Sequence, residues 1–275
     1  MQQKMITYVF GVDLSHWNGT INFEVLKKSG VRFAYLKTSD GYTYEDGSFK
    51  MDSQFINYAR NAMAAGIHTG GYHFARPQHN YENAEAEAQF FIDSLQLAYG
   101  KGKFGYLMPV LDLESPAIGQ SDGAGLPENA EGNITLTSEQ LLIWAWRFKT
   151  YFQNQTGVKL MLYTGKWFYW DFYKIYPNAN VLLDMPLWVS SYTASAPTDF
   201  SGWKNYTIWQ YTDNINITGT IPSDGGNIDG NYAISLEAIE SREVEEHRHC
   251  NLISGLIGAG LGFGAGYLIK NKKRR

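Results

Sequence analysis

LMPVLDLES, residues 107–115, is the stretch whose reading decides the fold. Leu107, Met108, Val110, Leu111 and Leu113 form a nearly unbroken apolar run of strand length. That is the pattern of a parallel strand buried on both faces, not of a strand with one wet face. Into the run are set two carboxylates, Asp112 and Glu114. Side chains two apart on a strand leave the same face, so both project together, roughly 7 Å apart at a rise of about 3.3 Å per residue. Pro116 and the Gly-rich segment behind it end the strand. Charges taken out of water must find partners or a proton, so two acids converging at the end of a buried strand point to chemistry. The structural alternative is that one acid caps the next segment while the other pairs with an Arg or Lys.

Upstream of this stretch the chain alternates strand-like and helix-like patterns. Residues 8–15, YVFGVDLS, read as the first strand, interrupted by Asp13 much as the central run is by Asp112. Asn22 is placed to cap a helix that Gly30 closes. A second strand, 32–39, carries Lys37 near its end. Asp52 and Ser53 open a helix with Phe55, Ile56, Ala59, Ala62 and Met63 at helical spacing. The third strand is 68–75, and an amphipathic helix covers about 83–99. Downstream, a loop at 116–133 is long enough for a compact domain to be read as site-lining. Thr137 and Gln140 resemble a capping box for a helix over 141–155. A fifth strand, 159–165, and a short aromatic helix, 166–174, follow. PLWVSSY, TIWQYTD and NIDGNYA then read as three more strands. Eight strands with about five helices close most naturally into an α/β barrel whose active groups stand at the strand ends. An open doubly wound sheet is the alternative, but no Gly-rich phosphate loop follows any strand.

In such a barrel the first and last strands are neighbours, so Asp13 and Asp229 come side by side and join Asp112 and Glu114 in one acidic constellation. Tyr72, His73, Phe74, Tyr163, Trp188, Tyr192, Trp209 and Tyr211 also stand at strand ends. Acidic clefts with aromatic walls suit sugars, whose ring faces stack while their hydroxyls need acceptors. The composition accommodates this: 275 residues, 44% hydrophobic and 15% aromatic, can bury a barrel-sized core. The net charge of -4 includes a basic end, KNKKRR, so the remaining body is more acidic and nucleic acid is not an expected partner. The lone Cys250 excludes an internal disulfide framework. The N-terminal MQQKMITYVF lacks the long apolar region of a signal peptide.

Six ordered motifs carry a family resemblance: GVDLSHWNG at 11–19, YLKTSDG at 35–41, AGIHTGGYHF at 65–74, PVLDLE at 109–114, WQYT at 209–212 and IDGN at 228–231. Over about residues 8–236 the chain resembles the glycoside hydrolase family 25 lysozymes, the Chalaropsis type, which are N-acetylmuramidases of phage endolysins and bacterial autolysins. The resemblance implies an irregular TIM-like barrel of five β/α units completed by three β-strands, occupying residues 1–238. It implies cleavage of the β-1,4 bond between N-acetylmuramic acid and N-acetylglucosamine, hence peptidoglycan as partner and the bacterial cell wall as the place of action, with no cofactor. By motif, Glu114 corresponds to the general acid, with Asp13, Asp112 and Asp229 as the acids around the scissile sugar. Lys37, Tyr72, Phe74, Tyr163, Trp188, Tyr192, Trp209 and Gln210 are the expected cleft residues. A second carboxylate could attack directly, or Asp112 could orient the substrate's own N-acetyl oxygen; the resemblance leans to the latter. Rival classes are a catalytically silent glycan-binding module and a phosphoesterase using Mg²⁺ or Mn²⁺ on the same acids.

Beyond residue 238 the composition changes. A charged linker, 239–250, precedes LISGLIGAGLGFGAGYLI, residues 252–269, which carries no charge. As a helix it would span about 27 Å, just short of the ~30 Å hydrocarbon core. Gly258, Gly262 and Gly266 repeat at the four-residue spacing by which membrane helices pack. In water such glycines disfavour a helix by about 1 kcal/mol each. The expectation is a Gly-rich apolar helix in 251–275, transmembrane or membrane-associated, that self-associates, its basic end cytoplasmic or at anionic headgroups.

Overall fold

The computed structural model describes residues 8–43, 48–78, 80–114, 136, 138–165, 179–198, 200, 202–219 and 227–244. Its strands are β1 (Val9–Leu14), β2 (Phe33–Thr43), β3 (Phe49–Met51), β4 (His68–Phe74), β5 (Val110–Asp112), β6 (Met161–Gly165), β7 (Leu187–Ser190), β8 (Ile208–Ile215) and β9 (Ile228–Ala233). The sheet runs β1-β9-β8-β7-β6-β5-β4-β2-β3, and β1 also pairs with β2. That extra pairing closes eight strands into a barrel and leaves β3 hanging outside on β2. The chain is therefore a mixed α/β protein with a TIM-like barrel.

Strands β1 to β8 of the barrel run parallel to their barrel neighbours, whereas β9 is antiparallel to both β1 and β8. Antiparallel insertion is possible because β8 and β9 are joined without a crossover helix among the described residues. It corrects one expectation: Asp229 lies at the start of its strand, and it reaches the same rim as the other acids because that strand runs downward. Helices α1 (Phe23–Lys28), α2 (Phe55–Ala64), α3 (Glu82–Tyr99) and α4 (Ser138–Thr156) cover the outside. The fifth expected helix, 166–174, and the long loop at 116–133 lie outside the described residues. The Asn22 side chain caps α1 as anticipated, accepting from Val25 N. Asp52 does not cap α2; it accepts from Gln54 N and binds His16, tying the turn after β1 to β2 and α2.

Two apolar layers result. Phe33, Tyr35, Met108, Met161, Ile208 and Ile239 fill the barrel interior. Phe55, Phe91, Trp144, Phe148 and Phe152 pack between barrel and helices. The glycine pair in HTGGYHF allows both layers to close. A Cβ on Gly70 would sit 2.7 Å from the Leu107 Cβ inside, and one on Gly71 would sit 2.2 Å from Thr38 Oγ1 and 2.6 Å from Leu95 outside. Side chains plug the lower barrel, and a cleft opens above it, at the carboxyl ends of the parallel strands.

The unit that contains the barrel runs to Val244, past the boundary expected at residue 238. Residues 239–244 close its lower end: Met108 N donates to Ile239 O, Lys159 N to Arg242 O and Val244 N to Gly157 O. Residues 245–275, including the apolar 252–269, lie outside the described residues. Among the described residues no helix is long and apolar enough to cross a membrane.

Candidate active site

At the upper rim a cleft of about 220 Å³ is lined by Asp13, Asp112, Glu114 and Asp229 together with Lys37, Tyr72, Phe74, Tyr163, Trp188 and Gln210. Ser15 and Trp17 add to its edge. The four acids thus meet from three strands that are far apart in sequence. Strand pairing explains part of this: Asp13 and Asp229 are direct register partners across β1 and β9. Asp112 closes the regular pairing of β5, and Glu114 follows it with a longer arm, half-buried where Asp112 is buried.

Two buried amides orient the Asp13–Asp229 pair. Asn231, on the same face of β9 as Asp229, donates from Nδ2 to Asp13 Oδ2 at 2.7 Å and accepts from Trp188 Nε1 at 2.9 Å. Gln210 donates from Nε2 to the same Asp13 oxygen at 3.0 Å and to Asp229 Oδ2 at 3.4 Å. Its carbonyl accepts from Tyr163 Oη at 2.8 Å and from Tyr192 Oη at 3.1 Å. The tyrosines are donors here, so the amide must turn its NH₂ to the carboxylates. Each aromatic therefore has a second task besides its ring face. Tyr35, tilted, and Tyr163, edge-on, also pack against Trp188 to form a floor, with centroids 4.8 and 4.9 Å from it.

The charges are crowded and poorly hydrated. Burial raises the Glu114 carboxyl to about 7, with Asp13 adding to it and Lys37 and Arg76 opposing. Burial, then the Asp13 charge and a hydrogen bond with Asp13, raises Asp229 to about 9. Asp112 is pushed well above its ordinary range by burial and by Glu114. Burial raises Asp13 also, but the hydrogen bonds from Asn231, Gln210 and Asp229 oppose it, making Asp13 the member of its pair that holds negative charge. Asp112 Oδ1 is buried with no hydrogen-bond partner among the described residues. Next to these acids Lys37 Nζ donates to Asp40 Oδ2 at 2.7 Å, and burial's upward push on Asp40 is overcome by Lys37 and Arg76, which hold it well below the carboxylate range.

Some expected residues lie elsewhere. Trp209 and Tyr211 take the outer face of β8, packed with Tyr232, and Trp209 Nε1 donates to Ser191 O. Strand alternation forces this, since Gln210 between them points inward. By the same rule His73 points out between Tyr72 and Phe74 and is fully buried under α3 and α4. Tyr192 stands at the rim, 52% exposed, and reaches the site through its hydroxyl. Sequence reading passed over Asn231 and Ser15, and marked Trp17 only as a departure from the family's pattern in the first loop. Asn231 was findable as the residue two beyond Asp229, on the same face. Ser15 caps the short 3-10 turn His16–Asn18 and so sets Trp17, 77% exposed, at the cleft edge. Among the described residues no group of three His, Cys, Asp or Glu side chains is arranged to hold a metal ion.

Residues 12–220 match the family model described as glycosyl hydrolases family 25. The chain belongs to that family. It is 32% identical over 227 residues to lysozyme M1 of Streptomyces globisporus, covering 81% of this chain and 67% of that one. It is equally 32% identical over 227 residues to an N,O-diacetylmuramidase of Chalaropsis sp., covering 80% and 96%. Among solved structures it is similar to the spore cortex lytic enzyme SleM of Clostridium perfringens, with TM-score 0.71 and 33% identity over 87% of this chain and 71% of that one. A bacterial lysozyme from Streptomyces coelicolor follows at TM-score 0.61 and 27% identity, covering 82% and 91%. The family 25 chain is thus a glycoside hydrolase, built on the fold and motifs that these lysozymes share.

Proposed function

We propose that this family 25 hydrolase is an N-acetylmuramidase, cleaving the β-1,4 bond between N-acetylmuramic acid and N-acetylglucosamine in peptidoglycan. The observation that carries the reading is the convergence of Asp13, Asp112, Glu114 and Asp229 on one aromatic-floored cleft in a chain of this family. Glu114, raised to about 7, keeps its proton near neutrality and donates it to the departing glycosidic oxygen. Asp13, ionised and fixed by two amides, stabilises the positive charge that develops at the sugar ring. Asp229 shares a proton with it and prevents two full charges from facing each other. Asp112 has an orphaned oxygen beside the cleft it lines. The Asp112 carboxyl, through the side that lines the cleft, accepts the N–H of the substrate's N-acetyl group and turns the acetyl oxygen towards the anomeric carbon. Neither a silent binding module nor a metal-dependent phosphoesterase needs this arrangement of one protonated and one ionised acid.

Mass spectrometry of fragments released from purified peptidoglycan tests the assignment. New reducing ends at N-acetylmuramic acid are expected; reducing ends at N-acetylglucosamine, or no new glycan ends, would overturn it. The same proposal extends to residues 252–269: their uncharged composition, Gly-xxx-Gly spacing and following KNKKRR support binding to anionic bilayers and self-association, with the barrel acting at the cell wall.

A further inference from the structure

Outside the cleft the described residues contain a second buried polar cluster that the proposed reaction does not use. Glu87 on α3 and His73 on β4 are both fully shielded from solvent. His73 Nε2 lies 2.7 Å from Glu87 Oε2, and His73 Nδ1 lies 2.8 Å from Ser39 Oγ. The same Glu87 oxygen accepts the backbone N–H of Arg76 at 3.1 Å. An N–H only donates, so this oxygen accepts from Arg76; with the His73 hydrogen assigned to Nε2 it accepts from the imidazole as well, and Ser39 donates to Nδ1. Gly41 leaves the room required, since a Cβ there would come within 2.2 Å of Glu87 Oε2.

The object held is the backbone just after β4. From it Arg76 Nε donates to Asp40 Oδ1 at 2.9 Å, and Asp40 Oδ2 accepts from Lys37 Nζ. Both cations lie over the Phe74 ring, Lys37 at 4.6 Å and Arg76 at 4.5 Å from its centroid. Lys37 and Phe74 line the cleft, and both cations act on Glu114. An arginine fixed at its backbone and at its guanidinium presents its charge at one distance, whereas an unanchored one averages over many.

We propose that Glu87 is a positioning residue: with His73 it fixes the backbone of Arg76, and through the Arg76–Asp40–Lys37 chain it sets the positive charge facing Glu114. The inference rests on the reading of Glu114 as the acid. Among the described residues the groups that face Glu114 are Asp13 from β1, Lys37 from β2, Arg76 after β4, Asp112 on its own segment, Tyr163 from β6 and Asp229 from β9. Of these only Arg76 is bonded to Glu87.

The test is carbon-13 NMR titration of the Glu114 carboxyl in the full chain. A cation favours the ionised acid, so loosening Arg76 moves the midpoint up. Glu87→Ala is expected to raise it by roughly half a pH unit, a fraction of the about one to three units that a neighbouring opposite charge produces, because Arg76 is loosened and not removed. The amide oxygen of Glu87→Gln can still accept both the Arg76 N–H and the His73 Nε2–H, and this variant restores the wild-type midpoint. Arg76→Met raises the midpoint too, and adding Glu87→Ala to it produces no further rise. Should Glu87→Ala fail to fold, Gly41→Ala, which pushes the Glu87 carboxyl off the Arg76 N–H, is read in the same way. An unmoved midpoint in the alanine variant, or a rise that persists in the Arg76→Met background, overturns the inference. The titration needs no turnover, so these results stand whether or not the chain cleaves peptidoglycan, and absence of cleavage overturns only the function.

Discussion

Replacing Glu114 by Gln should stabilise the folded protein at pH 8 and leave its stability nearly unchanged at pH 4. In the native cleft this carboxyl titrates at about 7, against an ordinary value of 4.5. Below the lower value it is protonated in both folded and unfolded chains and contributes no difference. Between the two values the folded chain holds a proton that the unfolded chain has released, so stability falls as pH rises through this window and is lowest above about 7. At 1.36 kcal/mol per pH unit the gap corresponds to about 3 kcal/mol, and solvent screening at a half-buried group reduces the expected effect to about 2 kcal/mol. Gln is neutral at every pH and of similar volume, so it removes that cost. Urea unfolding of both proteins at the two pH values measures it. A variant equally or less stable than the parent at pH 8, or a gain of the same size at pH 4, would refute the argument that Glu114 stays protonated at the expense of folding energy.

Asp13→Asn and Asp229→Asn should each lower turnover on the order of 10²-fold, because both acids share one charge and one proton. An Asp229→Asn variant with an unchanged rate and acid limb would remove that residue from the site. Asn231→Leu leaves the Trp188 N–H without its partner and the Asp13 oxygen with Gln210 alone, at a cost of about 1–3 kcal/mol in stability. It also withdraws a bond that lowers the Asp13 pKa, so the acid limb of kcat/KM should move to higher pH; a limb that stays or falls would contradict the Asp13 assignment. For the tail, the full chain should float with anionic liposomes while a chain ending at Val244 should not, and Gly262→Leu should weaken detergent-resistant oligomers. Equal partitioning with unchanged oligomers would refute the membrane reading.

Much of the barrel can be read from alternating apolar runs and their punctuation, and the four acids from their positions within those runs. What escapes is phase. In TIWQYTD the aromatic set, Trp209 and Tyr211, is the more apolar one, so periodicity would turn it inward, whereas Ile208 and Gln210 face in and the aromatics face out. Tyr72, His73 and Phe74 present an ambiguity of phase too, and His73 proves to belong to the helix-covered layer. The direction of β9 is equally hidden, because strand composition does not encode whether the connection over 216–227 returns the chain parallel or antiparallel. The β3 edge strand is three residues long and pairs only through tertiary contact with β2. Charged residues 239–244 resemble a linker locally, yet their backbone groups complete the lower barrel. Asn231 shows the opposite case: a buried amide two residues from a catalytic candidate was legible from alternation alone.

The central claim is that the Glu114 proton is delivered to the leaving oxygen, and the leaving group itself can test it. Peptidoglycan cleavage by Glu114→Gln should fall on the order of 10²- to 10⁴-fold, the range for loss of a positioned general acid. The same variant should retain most of its bond-breaking rate on an aryl N-acetylmuraminide whose phenol is acidic enough to depart without protonation. Equal losses on both substrates would contradict the account, as would near-normal turnover of peptidoglycan.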